Sequence, residues 1–177
     1  MNKKITTKEL VLSGLLLATG IIVPMIFHML GVMGSIVLPM HIPVLIGGLL
    51  LSPSLALSLG IVTPIISGIL TGMPVLFPMS IIMAFELGTY GLVSSLLTRK
   101  MKLSVVPTLI ISMISGRIAA GFAVAALIQL FGINMDPVLY IKASIITGLP
   151  GIIIQLIFIP TLVYAIKAYS AKTSVKY

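Results

Sequence analysis

Full charge is almost confined to three short clusters in this chain, and the sequence between them is apolar over lengths that no soluble core of this size can use. The cations gather at Lys3, Lys4 and Lys8, at Arg99, Lys100 and Lys102, and at Lys167, Lys172 and Lys176. Only eleven Lys/Arg and three Asp/Glu serve 177 residues that are 59% hydrophobic. Three charged residues, Glu86, Arg117 and Lys142, interrupt the apolar stretches themselves. Charge at bilayer depth is expensive and usually functional. The pattern predicts an all-α integral membrane protein, and those three residues point to its work.

The same distribution excludes other classes. A net charge of +8 could suggest nucleic acid, but the cations flank apolar segments instead of forming one basic face. They read as topology signals beside a lipid bilayer. With no cysteine, disulfides, thiolate metal sites and cysteine nucleophiles are ruled out. The basic start MNKKITTKEL lacks a following cleavage site and polar mature domain, so the first apolar segment is expected to stay as a membrane helix. No stretch resembles a soluble domain, so an energy-coupling ATPase would be another chain.

A spanning helix needs about 20 apolar residues. Segment one runs from about Lys8 to Phe27, with Thr6 or Thr7 as N-cap. His28 to Pro39 is softer, with Gly31, Gly34 and Ser35. Segment two runs from Met40 to the Ser52-Pro53-Ser54 stop and is short. Segment three covers Ser54 to Leu70, before a Thr71-Gly72-Met73-Pro74 turn. Segment four spans Pro78 to Leu97, and segment five Leu103 to Leu130. After the polar connection from Gly132 to Pro137, segment six reaches about Ala168, with a break or kink expected near Gly148 to Gly151 or at Pro160.

Six spans put both termini on one side, and all three basic clusters then fall there, which predicts cytoplasmic N- and C-termini. Residues 1–177 form a single six-helix domain on this reading. The connections at Phe27–Pro39, Thr71–Phe77 and Gly132–Pro137, which carry no Lys or Arg, face outward. Small pairs at Gly14/Ala18 and Ala119/Ala123 suggest close helix packing.

Depth follows from the rise per residue. Glu86 lies about 12 Å below the outer start of segment four, and Arg117 about 21 Å above the inner start of segment five. Lys142 is about one turn into segment six. All three occupy the outer half, so Glu86 and Arg117 are natural partners, either fixing the packing or also lining a cavity. Lys142 is then left to meet an anionic ligand group or to snorkel. His28, His41, Tyr90, Gln129 and Asn134 are the nearby polar and aromatic candidates.

Enzyme and metal signatures are thin. Glu86 is the only acid expected to be buried, and a lone carboxylate cannot supply both acid and base functions. No HExxH-type spacing or serine-hydrolase motif occurs. Met25, Met29 and Met33 recur at helical spacing, which could suggest soft-metal transport, but methionine is also an ordinary apolar filler. No catalysis, no cofactor and no metal are expected.

Two passages, LPMHIPVLIGGLLLSP (Leu38 to Pro53) and LTGMPVLFPMSIIMAFELGTYGLVSSLL (Leu70 to Leu97), resemble the S components of energy-coupling factor (ECF) vitamin transporters. The likeness extends to length, six-helix topology and the order of loops. It implies a membrane subunit that binds a vitamin from outside, docks on a transmembrane coupling protein with two ATPases, and topples to release its cargo. It implies that Gly14 and Ala18 contact the coupling protein, with Gly in place of the more usual Ala. It implies a site near the outer face drawing on His41, Glu86, Tyr90, Arg117, Asn134 and Lys142, under a lid containing Gly31, Gly34 and Ser35. Nickel and cobalt relatives use a histidine after the initiator methionine, where this chain has Asn2.

The sequence thus points to the substrate-capture subunit of an ECF importer in a bacterial plasma membrane. Pantothenate, a pyridoxine-type compound, a hydroxymethylpyrimidine and cobalamin are all candidate cargoes. Two other classes share the charge pattern. One is a stand-alone secondary transporter using Glu86 for proton coupling, and the other a membrane assembly protein whose buried charges only hold helices together.

Overall fold

A computed structural model describes residues 5–31 and 34–174, with side chains to Ile166 and at Ala168. Val32, Met33, Lys3, Lys4 and Lys176 lie outside the described residues. The architecture is wholly helical among those described. Helix α1 is Thr7–Met29, α2 Gly34–Val37, α3 His41–Leu50, α4 Pro53–Thr71, α5 Ile81–Arg99, α6 Val105–Phe131 and α7 Pro137–Ser174. A π-helical turn, Leu76–Ser80, leads directly into α5.

Local chemistry sets most of these ends. Thr6 caps α1 in a reciprocal box: its hydroxyl accepts from the Glu9 N–H at 3.2 Å, and Glu9 Oε2 accepts from the Thr6 N–H. Proline opens α4 at a first-turn position where its missing N–H costs nothing. Gly72 and Gly132 close α4 and α6 at φ values of 74° and 64°, left-handed geometry that glycine adopts without a Cβ clash. Asp136 caps α7 by accepting from the Leu139 N–H at 2.7 Å.

Five helical stretches are long and apolar enough to cross a membrane: α1, α4, Leu76–Arg99, α6 and Pro137–Ile166. Their outer faces carry exposed Ile69, Phe85, Ile114, Phe122, Ile146 and Ile157, side chains that water would penalise and lipid accepts. The second apolar segment differs from the span expected of it. Helix α3 has ten residues, about 15 Å of rise, and its residues from His41 to Leu49, apart from Ile42, are buried. Helix α3 is therefore a central post inside the bundle, packed against α1, α4, α5 and α7. The last segment, where the sequence leaves either a kink or a break open, is unbroken: α7 is one helix through Pro150 and Pro160.

Helices α4 and α5 make the closest pairing. A Cβ at Gly60 would meet the Leu87 carbonyl, and one at Gly91 would meet the Ala56 carbonyl. Backbone-to-backbone approach of this kind needs glycine on at least one side. It brings α5, which carries Glu86, into the middle of the molecule. The Gly14/Ala18 pair serves no such contact within the chain: both residues are exposed, and a Cβ at Gly14 would meet nothing within 4 Å. Helix α1 packs instead through Gly20, where a Cβ would lie 2.7 Å from Thr63 Cγ2.

At the end of the bundle that holds Arg99, the short post is tied off. Arg99 donates from Nε to the Leu51 carbonyl at 2.9 Å, and from Nη2 to the Leu50 carbonyl at 2.8 Å and to Glu9 Oε1 at 2.7 Å. Ser95 adds a hydroxyl donation to the Leu51 carbonyl at 2.8 Å. The last carbonyls of α3 have no intrahelical donors, so these bonds supply what the helix lacks.

Candidate functional site

The sparse polar residues of α3, α5 and α6 converge on one oxygen. Glu86 is 1% exposed and Arg117 7%, so both are charges held away from water and need partners. Arg117 donates from Nη1 to Glu86 Oε1 at 2.7 Å. Tyr90, one turn along α5, donates its hydroxyl to the same Oε1 at 2.8 Å. His41 Nε2, at the start of α3, approaches it at 3.4 Å, a longer and weaker contact. The His41 and Tyr90 rings are tilted at 58° with centroids 5.5 Å apart. Gly116 makes this packing possible, since a Cβ there would strike the Tyr90 ring. The residue that clears space for Tyr90 thus precedes the one that pairs with Glu86.

The convergence leaves a remainder. Arg117 Nε and Nη2 and His41 Nδ1 are buried and have no hydrogen-bond partner among the described residues. Each such group, left unmade, forfeits the hydration it would have in water.

Above this cluster opens a cavity of about 680 Å³, within the range of small-molecule sites. Helix α1 contributes Pro24, Met25 and His28, and the stretch leading into α3 contributes Gly34, Ser35, Leu38 and His41. The connection from α4 to α5 supplies Thr71 and Met73 to Val75. Met83, Glu86 and Arg117 form its deeper wall. Helix α7 supplies Tyr140, Ala143, Ser144 and Thr147, a stripe at i, i+3, i+4 and i+7.

Of the residues singled out in the sequence, His41, Glu86 and Arg117 line the cavity, and Tyr90 stands behind Glu86. Gly34 and Ser35 line it, whereas Gly31 does not. Lys142 is exposed and outside the lining: it sits two residues from Tyr140, about 200° around α7, and so faces away. Asn134 lies exposed in the α6–α7 connection, also outside the lining, and Gln129 is exposed. Met25 lines the cavity while Met29 is 78% exposed. The α7 stripe escaped the sequence reading, although its small and hydroxylic residues at helical spacing were the available signal. Among the described residues no group of three or more His, Asp or Glu side chains is arranged to hold a metal ion.

No curated protein and no solved structure matches the chain. Residues 8–165 match the family described as ECF transporter, substrate-specific component. That span takes in nearly all of the long apolar helices and every residue of the Glu86 cluster, and with five membrane-capable helices around a buried polar centre, the chain belongs to the substrate-specific, or S, components of ECF transporters.

Proposed function

We propose that this S component captures a water-soluble vitamin or related micronutrient in the cavity above Glu86 and Arg117. It then delivers the cargo through a transmembrane coupling protein and two ATPases. The observation that carries the reading is a small-molecule-sized cavity whose buried polar floor is only partly satisfied by the protein itself. Pantothenate, pyridoxine-type compounds, a hydroxymethylpyrimidine and cobalamin remain the candidate cargoes. The stretch containing Gly31, Gly34 and Ser35 serves as the lid, and a φ of 71° at Gly31 gives it a glycine-dependent turn.

The topology belongs to this proposal. Helices α2 and α3 together cover Gly34–Leu50, a shorter apolar stretch, and count as the sixth crossing once paired with their buried surroundings. Both termini are then cytoplasmic, beside the basic clusters, in a bacterial cell membrane. The exposed Gly14/Ala18 face of α1 is the surface for the coupling protein, since small residues permit close approach by another helix.

Reconstitution tests the whole reading. Native mass spectrometry of the purified chain is expected to show a co-purified small molecule, and its uptake into vesicles is expected to require the ATPase module. Uptake that survives without ATPases would overturn the importer assignment. Ala18→Leu is expected to abolish uptake while changing affinity in the isolated chain less than about twofold; a large affinity loss would place α1 in the binding site instead.

A further inference from the structure

The acid and the base of the buried cluster each engage the other through a single atom, Glu86 Oε1 and Arg117 Nη1. Glu86 Oε1 already takes contacts from Arg117, Tyr90 and His41, so the negative charge of the carboxylate is engaged by the protein's own cation, while Oε2 is left to accept from a neutral donor. Arg117 has used only Nη1. Its Nε–H and the Nη2–H beside it run parallel along one edge of the guanidinium, and both lack an acceptor. Two parallel N–H donors match the two oxygens of a carboxylate in a bidentate pair. His41 Nδ1 is a further unpartnered polar atom of the same cluster.

The rest of the cavity is built for an apolar body. Met25, Pro39, Met40, Val75, Met79 and Met83 make up much of its wall, and methionine adapts to irregular apolar shapes. Charge limits the ligand as well. Glu86 is the only acid lining the cavity, and it balances Arg117. A dianionic phosphate would set three negative charges against one arginine, whereas a carboxylate adds one.

Leu38 lies near the free edge. A Cβ at Gly148 would lie 2.9 Å from Leu38 Cδ1 and 3.4 Å from Arg117 Nη2, so both groups occupy the space that glycine leaves open. Leu38 holds φ at 54°, a costly conformation for leucine, and its carbonyl accepts from Gln155 Nε2 at 3.3 Å.

Resting on the reading of the chain as a substrate-binding subunit, we infer that the cargo is a small monocarboxylate with a largely apolar body, its carboxylate held by Arg117 Nε and Nη2. The test uses the purified full chain in nanodiscs and calorimetric titration with hexanoate, 5-phenylpentanoate and N-butanoyl-β-alanine, each beside its primary amide, and with 4-phenylbutyl phosphate. At least one acid is expected to bind, with its amide and the phosphate at least tenfold weaker. Arg117→Lys keeps a cation for Glu86 but presents no fork, so acid affinity is expected to fall at least tenfold while the amide's is unchanged. The proposal is overturned if no acid binds, if an amide or the phosphate equals its acid, or if Arg117→Lys retains full acid affinity. Should Arg117→Lys fail to fold, the acid-to-amide ratio of the parent decides. Module-dependent uptake of a ligand without a carboxylate would sink this inference and leave the subunit reading intact; acid binding without any module dependence would do the reverse.

Discussion

Two arginines hold this bundle, one at an end and one at its centre, and they are used in opposite ways. Arg99 spends Nε on the Leu51 carbonyl, and Nη2 on the Leu50 carbonyl and Glu9, with its side chain one-third exposed. Arg117 is almost fully buried and makes a single ion pair, leaving two nitrogens without acceptors. The exposed arginine is the better satisfied, although burial makes satisfaction more valuable. A structural arginine saturates itself on carbonyls that a helix end cannot otherwise pair. An arginine that keeps donors free in a dry place is held ready for something that arrives later.

This contrast can be broken at several points. The largest effect is expected from Arg117→Met, which leaves Glu86 uncompensated at a cost of about 3–5 kcal/mol. Reduced yield and a lowered melting midpoint in detergent would report it, together with lost binding. A variant as stable as the parent would mean that Glu86 does not depend on this partner. Arg99→Met comes next. It removes donors from the Leu50 carbonyl of α3, from that of the following Leu51 and from Glu9, for a loss of about 1–3 kcal/mol, while affinity of the isolated chain is expected to stay within about twofold. If affinity falls further than stability, the end and the centre are coupled and the distinction fails. The smallest effect is expected from Lys142→Met: neither stability nor binding should change measurably, because the side chain points away from the cavity. A tenfold loss of affinity there would restore Lys142 to the site.

The sequence shows height more readily than direction. Counting residues from the segment ends sets Glu86 and Arg117 at similar depth, and in a medium with so few charges that is enough to bring them together. The same count places Lys142 at the right level but is silent on its azimuth, which depends on where α7 meets α2, α3 and α6. Tyr140, Ser144 and Thr147 fall on the cavity side for that reason, and none carries a charge to draw notice. The second segment was hard to read for a different reason. An apolar run is equally suited to lipid and to a protein interior, so HIPVLIGGLL does not announce that α3 is enclosed by other helices. Most helix limits were legible because Thr6, Pro53, Gly72 and Gly132 act through local backbone chemistry. Gly60, Gly91 and Gly116 were legible only as small residues; what each makes room for depends on partners distant in sequence.

The short post α3 also sets a length. His41 at one end touches the cavity floor, and Leu50 at the other is bound by Arg99. Between them lie about 15 Å, half the thickness of a bilayer's hydrocarbon core of about 30 Å. On the topology proposed above, a molecule resting on His41 would have travelled about half of the membrane's depth before any energy is supplied. What remains is a plug one short helix thick, closed on its far side by Ser95 and Arg99. On this geometry the work of import is to carry a ligand past that remaining half, or to turn the plug aside, and the ten residues of α3 set its height.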